Sequence, residues 1–175
     1  MVRTRKENFL AEREIESAEY RKRLAEMNRR FAEAVPHNLM LGLEIIALGE
    51  GTARFKLPYS EKLVGNAATG VLHGGAITAL IDAACGAAVF AALGKPMGIA
   101  TLDLRIDHLG MAPPGRDILA SARVYKVTRK VLFIEGFAYC ESRDKPIARA
   151  TGSWVLMAGL DLSVLLDEET AGAQS

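Results

Sequence analysis

Between residues 69 and 93 the chain reads TGVLHGGAITALIDAACGAAVFAAL, and after His73 this stretch holds a single charged side chain, Asp82. A helix that is apolar nearly all round has to be buried on most sides. A flat sheet covers one side only, whereas a strongly curved antiparallel sheet can wrap such a helix. An α+β fold with the sheet around a central helix is therefore expected. The same stretch poses a chemical question, because a carboxylate among apolar neighbours is costly unless it is paired, wet or useful.

The flanking sequence supplies the strands. LGLEIIALGEGTARFKLPY reads as two short strands joined at Gly49-Glu50-Gly51. Residues 60–70 read as a loop, and GKPMG ends the central helix, which is expected from about Gly75 to Leu93. Four strands follow at 98–109, 116–128, 130–142 and 146–158. MAPPGRD, TRK and SRDKP separate them, connectors short enough to join antiparallel neighbours. In the second of these, Ile118, Ala120, Ala122 and Val124 alternate with Asp117, Ser121 and Arg123. Ahead of all this, residues 5–35 read as a helix. Tyr20, Leu24, Met27, Phe31 and Val35 form its apolar stripe, and Pro36 closes it. The expected organisation is an N-terminal helical extension at 1–35, one domain at 36–159 and a flexible tail at 160–175. The extension is expected to pack outside the domain or across subunits, adding stability but no chemistry.

Composition narrows the partners. A net charge of +1 in 175 residues gives no reason to expect nucleic acid. Residues 1–30 hold nine Lys/Arg against six Glu, which reads as a solvated helix face. Cys85 and Cys140 have no ligand-like spacing and read as reduced core thiols. Together with a charged N-terminus unlike a signal peptide, they point to a cytoplasmic protein. Residues 74–93 are long enough to span a membrane, but Ala, Gly and a central Asp82 argue against it. His37, His73 and His108 are scattered without metal spacing, so no metal and no cofactor are expected.

At 100° per residue, Gly75, Thr78, Ala79, Cys85, Gly86 and Val89 fall on the Asp82 side of the helix, while Ile77, Leu80 and Ile81 point away. Asp82 then borders a crevice lined by small residues. His73-Gly74-Gly75 stands where the helix begins, and the first N–H groups of a helix lack intrahelical partners. They can serve as an oxyanion hole, or the glycines can simply permit a tight turn with His73 as a local cap. A carboxylate with such donors suits acyl transfer to water. Thioesters fit best, since a thiol with pKa of about 8.5 leaves with little help. The plainer reading of Asp82 is a helix-surface residue with water access. Arg129-Lys130 reads as a solvated turn or as a phosphate contact.

GVLHGGAITALIDAACGAA resembles the signature of PaaI-like acyl-CoA thioesterases of the hotdog superfamily. TLDLRIDHLGMAPPGRDI is similar to that family's third-strand segment, and the strand order agrees over roughly residues 36–158. The resemblance implies a hotdog fold, acyl-CoA as substrate, and homodimers or homotetramers with active sites at the subunit interface. By position it makes Asp82 the nucleophile or general base and gives the oxyanion N–H to Gly74, beside His73 and Gly75. It has Thr101 holding the attacking water, and Arg129 and Lys130 contacting the coenzyme A moiety. The family often carries an Asn six residues before its His. Here that position is Ala67, and a one-residue bulge would return Asn66 to the role. Hotdog hydratases and dehydratases are the nearest alternative, but Ala87 stands where their spacings require a His or Glu. A non-catalytic acyl-CoA-binding protein is a third reading, which an intact Asp82 disfavours.

Overall fold

The computed structural model describes residues 18–93 and 97–157. The early turns of the expected N-terminal helix, the stop at 94–96 and the expected tail lie outside the described residues. Helix α1 (Ala18–Ala34) ends before Pro36, but Pro36 does not end helical structure: it opens a second helix, α2 (Pro36–Leu41). A proline has no N–H to leave unpaired and has φ preset, so it suits a first helical position. Gly42, at φ 71°, terminates α2.

Strands β1 (Glu44–Gly49) and β2 (Thr52–Leu57) form the expected hairpin. Residues 60–70 are not a plain loop. A 3-10 turn (Glu61–Leu63) leads into β3 (Val64–Asn66), which pairs with β4 (Val71–Leu72) as a small separate ribbon. The central helix α3 (Gly74–Leu93) follows, then β5 (Ile99–His108), β6 (Ile118–Val127), β7 (Val131–Tyr139) and β8 (Ala148–Leu156). The main sheet is six-stranded and antiparallel in the order β1-β2-β6-β7-β8-β5. The MAPPGRD connector therefore does not join neighbours, contrary to expectation. β5 takes the far edge beside β8, and residues 109–117 carry the chain back across the sheet to β6, which pairs with β2 and β7.

This sheet wraps α3, as expected. Ile77, Leu80, Ile81, Ala84 and Ala88 are buried against it. Cys85 and Val89 are buried as well, a correction to their place on the Asp82 side: the sheet curves far enough round the helix to take them into the core. Close approach is possible because β7 presents Gly136, where a Cβ would stand 3.1 Å from Cys85 Sγ and 3.3 Å from Ile81 Cγ2. One window of α3 has a mean hydropathy of 2.0, high enough for a membrane span, but here it is the helix at the centre of the core.

Helix α1 is joined to the sheet at its other edge. Phe31 meets the fully buried Phe55 ring edge to face at 5.2 Å. The Asn28 side chain accepts from Ile45 N at 2.6 Å and donates to Ile45 O at 2.9 Å. It thereby satisfies backbone groups that an edge strand would otherwise leave open. The opposite face of α1 is solvated, with Arg29 bridging Glu26 and Glu33.

Candidate active site

Asp82 is half-buried on α3, and Thr101 Oγ1 donates to its Oδ1 at 3.3 Å. A register shift in β5 makes that contact. Inward-facing residues in a regular strand alternate, and Leu104 and Ile106 pack on the core from β5. Thr101 is out of phase with them, yet it pairs with the inward Trp154, because the register slips between Thr101 and Asp103. Bulges often re-aim side chains in this way beside functional sites. Burial raises the Asp82 carboxyl above the ordinary carboxylate range, and the Thr101 hydrogen bond pulls in the opposite direction. The neighbouring Cys85 thiol is pushed far up, by burial first and by the Asp82 charge second, which leaves it an inert core group.

The other end of α3 is built around His73. Its N–H donates to Leu63 O at 2.8 Å, and its Nδ1 accepts from Gly75 N at 2.9 Å, so the imidazole caps the helix. A Cβ on Gly75 would come within 2.9 Å of that same Nδ1, which explains the second glycine. With Gly75 N–H occupied, the Gly74 N–H is the donor left without a partner among the described residues. A cleft of about 390 Å³ opens at the first turn of α3 between His73, Gly75 and Ala76 and the facing His37, Leu41 and Lys62, and Gly74 itself does not line it.

Asn66 lies after a register irregularity between Val64 and Asn66, on the far side of Asn66 from the interval to His73 that the anticipated bulge would have to shorten. Its Oδ1 accepts from Ala68 N at 3.0 Å, an interaction that fixes the amide while leaving Nδ2 to donate. Arg129 and Lys130 are exposed in the β6–β7 turn, where Lys130 O accepts from Leu156 N. Thus the structure joins Asp82 to Thr101 and joins His73 to Gly75, but it holds the two groups apart. Eight residues of α-helix separate Asp82 from Gly74 by about 12 Å. His108, which sequence reasoning treated only as a lone histidine, ends β5 with its ring against Gly74. Its parity with Leu104 and Ile106 is the one sequence signal that pointed there. Among the described residues no group of three His, Cys, Asp or Glu could hold a metal ion.

A six-stranded antiparallel sheet around a long helix, with a carboxylate part-way along that helix and a glycine N–H at its start, defines a hotdog protein. Residues 69–147 match the model of the thioesterase superfamily, and the chain belongs to that family. A solved Pseudomonas aeruginosa protein is 42% identical, with a TM-score of 0.69, over 77% of this chain and 99% of that one. A Halobacterium salinarum protein named as an esterase is 38% identical over 52% of this chain, and the match spans 62% of that protein's length. The Escherichia coli PaaI protein of the phenylacetic acid degradation operon shares the fold. Its TM-score is 0.67 at 21% identity, over 78% of this chain and 96% of that one.

Proposed function

We propose that this chain hydrolyses acyl-CoA thioesters in a site completed by a second copy of itself. The observation that carries the reading is the pair of unfinished half-sites on α3. Asp82 with Thr101 stands at one, and the unpartnered Gly74 N–H stands at the other, about 12 Å away along the helix. One carbonyl group cannot reach both within a single chain. Strand β5 offers the means of joining them, since it is the last strand of the sheet and mostly exposed. Antiparallel pairing of β5 with its copy, centred on Arg105, sets Thr101 of one strand opposite His108 of the other, because the bulge at Leu102 takes up one residue. Asp82 of one copy then faces Gly74 of the other, and a two-fold axis makes two such sites.

The chemistry follows from the groups. The thioester carbonyl oxygen docks on the Gly74 N–H, with Asn66 Nδ2 as an additional donor. Acting as base, Asp82 of the second copy takes a proton from a water held by Thr101, and the water oxygen adds to the carbonyl carbon. The carbonyl π pair moves onto the oxygen and is held by the amide donors. Collapse re-forms the carbonyl, breaks the C–S bond and returns the Asp82 proton to the thiolate. Acting as nucleophile, Asp82 instead forms an acyl anhydride that water opens, with the same acid and thiol as products. A thiolate departs without a strong general acid, so a site with one carboxylate suffices for thioesters. The relatives named as esterases and the thioesterase family support hydrolysis, and the CoA substrate is this reading's own step. Arg129 and Lys130 are placed to meet CoA phosphates only if the nucleotide runs past the Asp82 end of the sheet.

The test is a panel of acyl-CoAs assayed for free thiol, with chelator present throughout. Thiol release by at least one acyl-CoA is expected, with the activity surviving chelation. Cleavage of oxygen esters with no thiol released from any acyl-CoA would overturn the reading.

A further inference from the structure

His108 has no part in the scheme above, yet it stands beside the group that scheme depends on. A Cβ built on Gly74 would lie 3.5 Å from His108 Cε1 and 3.7 Å from its Nε2. Cβ directions in a helix tilt toward its N-terminus, the same way that its first N–H groups point. The imidazole therefore stands beside Gly74, at the end of α3 where that N–H is free. Nothing else claims the ring. His108 is exposed in the single chain, and among the described residues its side chain makes no hydrogen bond. His73 is different, because its Nδ1 is spent on capping Gly75. Strand parity makes the placement definite: beyond the bulge at Leu102, the inward face of β5 runs Leu104, Ile106, His108.

We propose that His108 is a further catalytic residue, its ring N–H donating to the thioester carbonyl oxygen that docks on the Gly74 N–H. This rests on the thioesterase reading and adds a side-chain donor to its oxyanion hole. When the attacking oxygen adds to the carbonyl carbon, the π pair moves onto the carbonyl oxygen and both hydrogen bonds shorten. When the C–S bond breaks, that pair returns, and His108 ends as it began, having neither gained nor lost a proton. A preorganised donor of this kind acts more strongly on the developing charge than on the ground-state carbonyl. Its loss therefore falls on kcat and not on KM.

The experiment compares His108→Phe, which keeps a ring without a donor, with His108→Gln, which keeps a neutral N–H donor. Each is measured for kcat and KM on the best acyl-CoA and for binding of an S-alkyl-CoA thioether, which has no carbonyl oxygen. Melting temperature and oligomeric state are read alongside. The Phe variant is expected to lose on the order of 10² in kcat, while Gln stays within about tenfold of wild type. KM, thioether binding, melting and assembly should not move in either. If the Phe variant keeps wild-type kcat, or Gln is as impaired as Phe, His108 is no donor. If thioether binding falls with kcat, it is a packing residue instead. A wild-type chain that releases no thiol from any acyl-CoA overturns the thioesterase reading itself, and this proposal with it.

Discussion

Ionising Asp82 where it stands is unfavourable, since burial raises its carboxyl above the ordinary range and a long hydrogen bond from Thr101 offsets only some of that. A folded pKa above the unfolded one contributes stability that is fully present below the unfolded pKa and is lost as pH rises through the folded value. Wherever the charged form is populated it is carried against stability, a cost that a purely structural residue would have no reason to bear. Asp82→Asn is expected to melt higher than wild type at pH 7, while kcat falls by a factor on the order of 10² to 10⁴. Calorimetry and thiol release check the two halves. Thr101→Val tests the hydrogen bond. Removing a bond that favours the carboxylate must raise the Asp82 pKa further, so the acid limb of the pH–rate profile should move to higher pH. A limb that stays put or moves down contradicts the assignment of that limb to Asp82. Asp82 was legible in the sequence as the one charge in an apolar helix, whereas Thr101 came only from the family resemblance and not from the strand's pattern. Thr101 reaches Asp82 through a bulge that hydrophobic alternation does not encode, and His108 takes its place from the same strand's phase.

The elements that enclose α3 were legible from their hydrophobic pattern, but the pairing of β5 was not. Short connectors favour neighbours in a sheet, and only the need to cover the helix on its far side sends β5 to the opposite edge. Cys85 and Val89 were misassigned for a related reason. Angular position on a helix says which residues share a side, not how far round the sheet reaches. At the other edge, the attachment of α1 depends on Asn28, a polar residue that an apolar stripe passes over. It closes two hydrogen bonds with Ile45 where β1 has no further strand. Asn28→Ala leaves both backbone groups to find water or go unpaired, a cost of about 1–3 kcal/mol. The melting temperature is expected to fall while kcat per folded enzyme is kept. A large loss of kcat at temperatures where the variant is fully folded would tie this edge to the site.

At the scale of the whole molecule, the account turns on a division that one chain cannot bridge. The carboxylate and the N–H donor lie about 12 Å apart on the same helix, so a working site takes one from each copy. The most direct measurement mixes Asp82→Asn chains with Gly74→Pro chains and follows thiol release after subunit exchange. Proline is tolerated at a first helical position and removes only the N–H. The Gly74 Cβ position meets His108 at an ordinary 3.5 Å, so this variant is expected to fold, with circular dichroism and sedimentation as the check. Each variant alone should be nearly inactive. A mixed dimer carries one site with both defects and one with neither, so fully exchanged equal mixtures should recover about a quarter of wild-type activity. Heterodimers confirmed by mass spectrometry that stay as inactive as their parents would contradict the shared site.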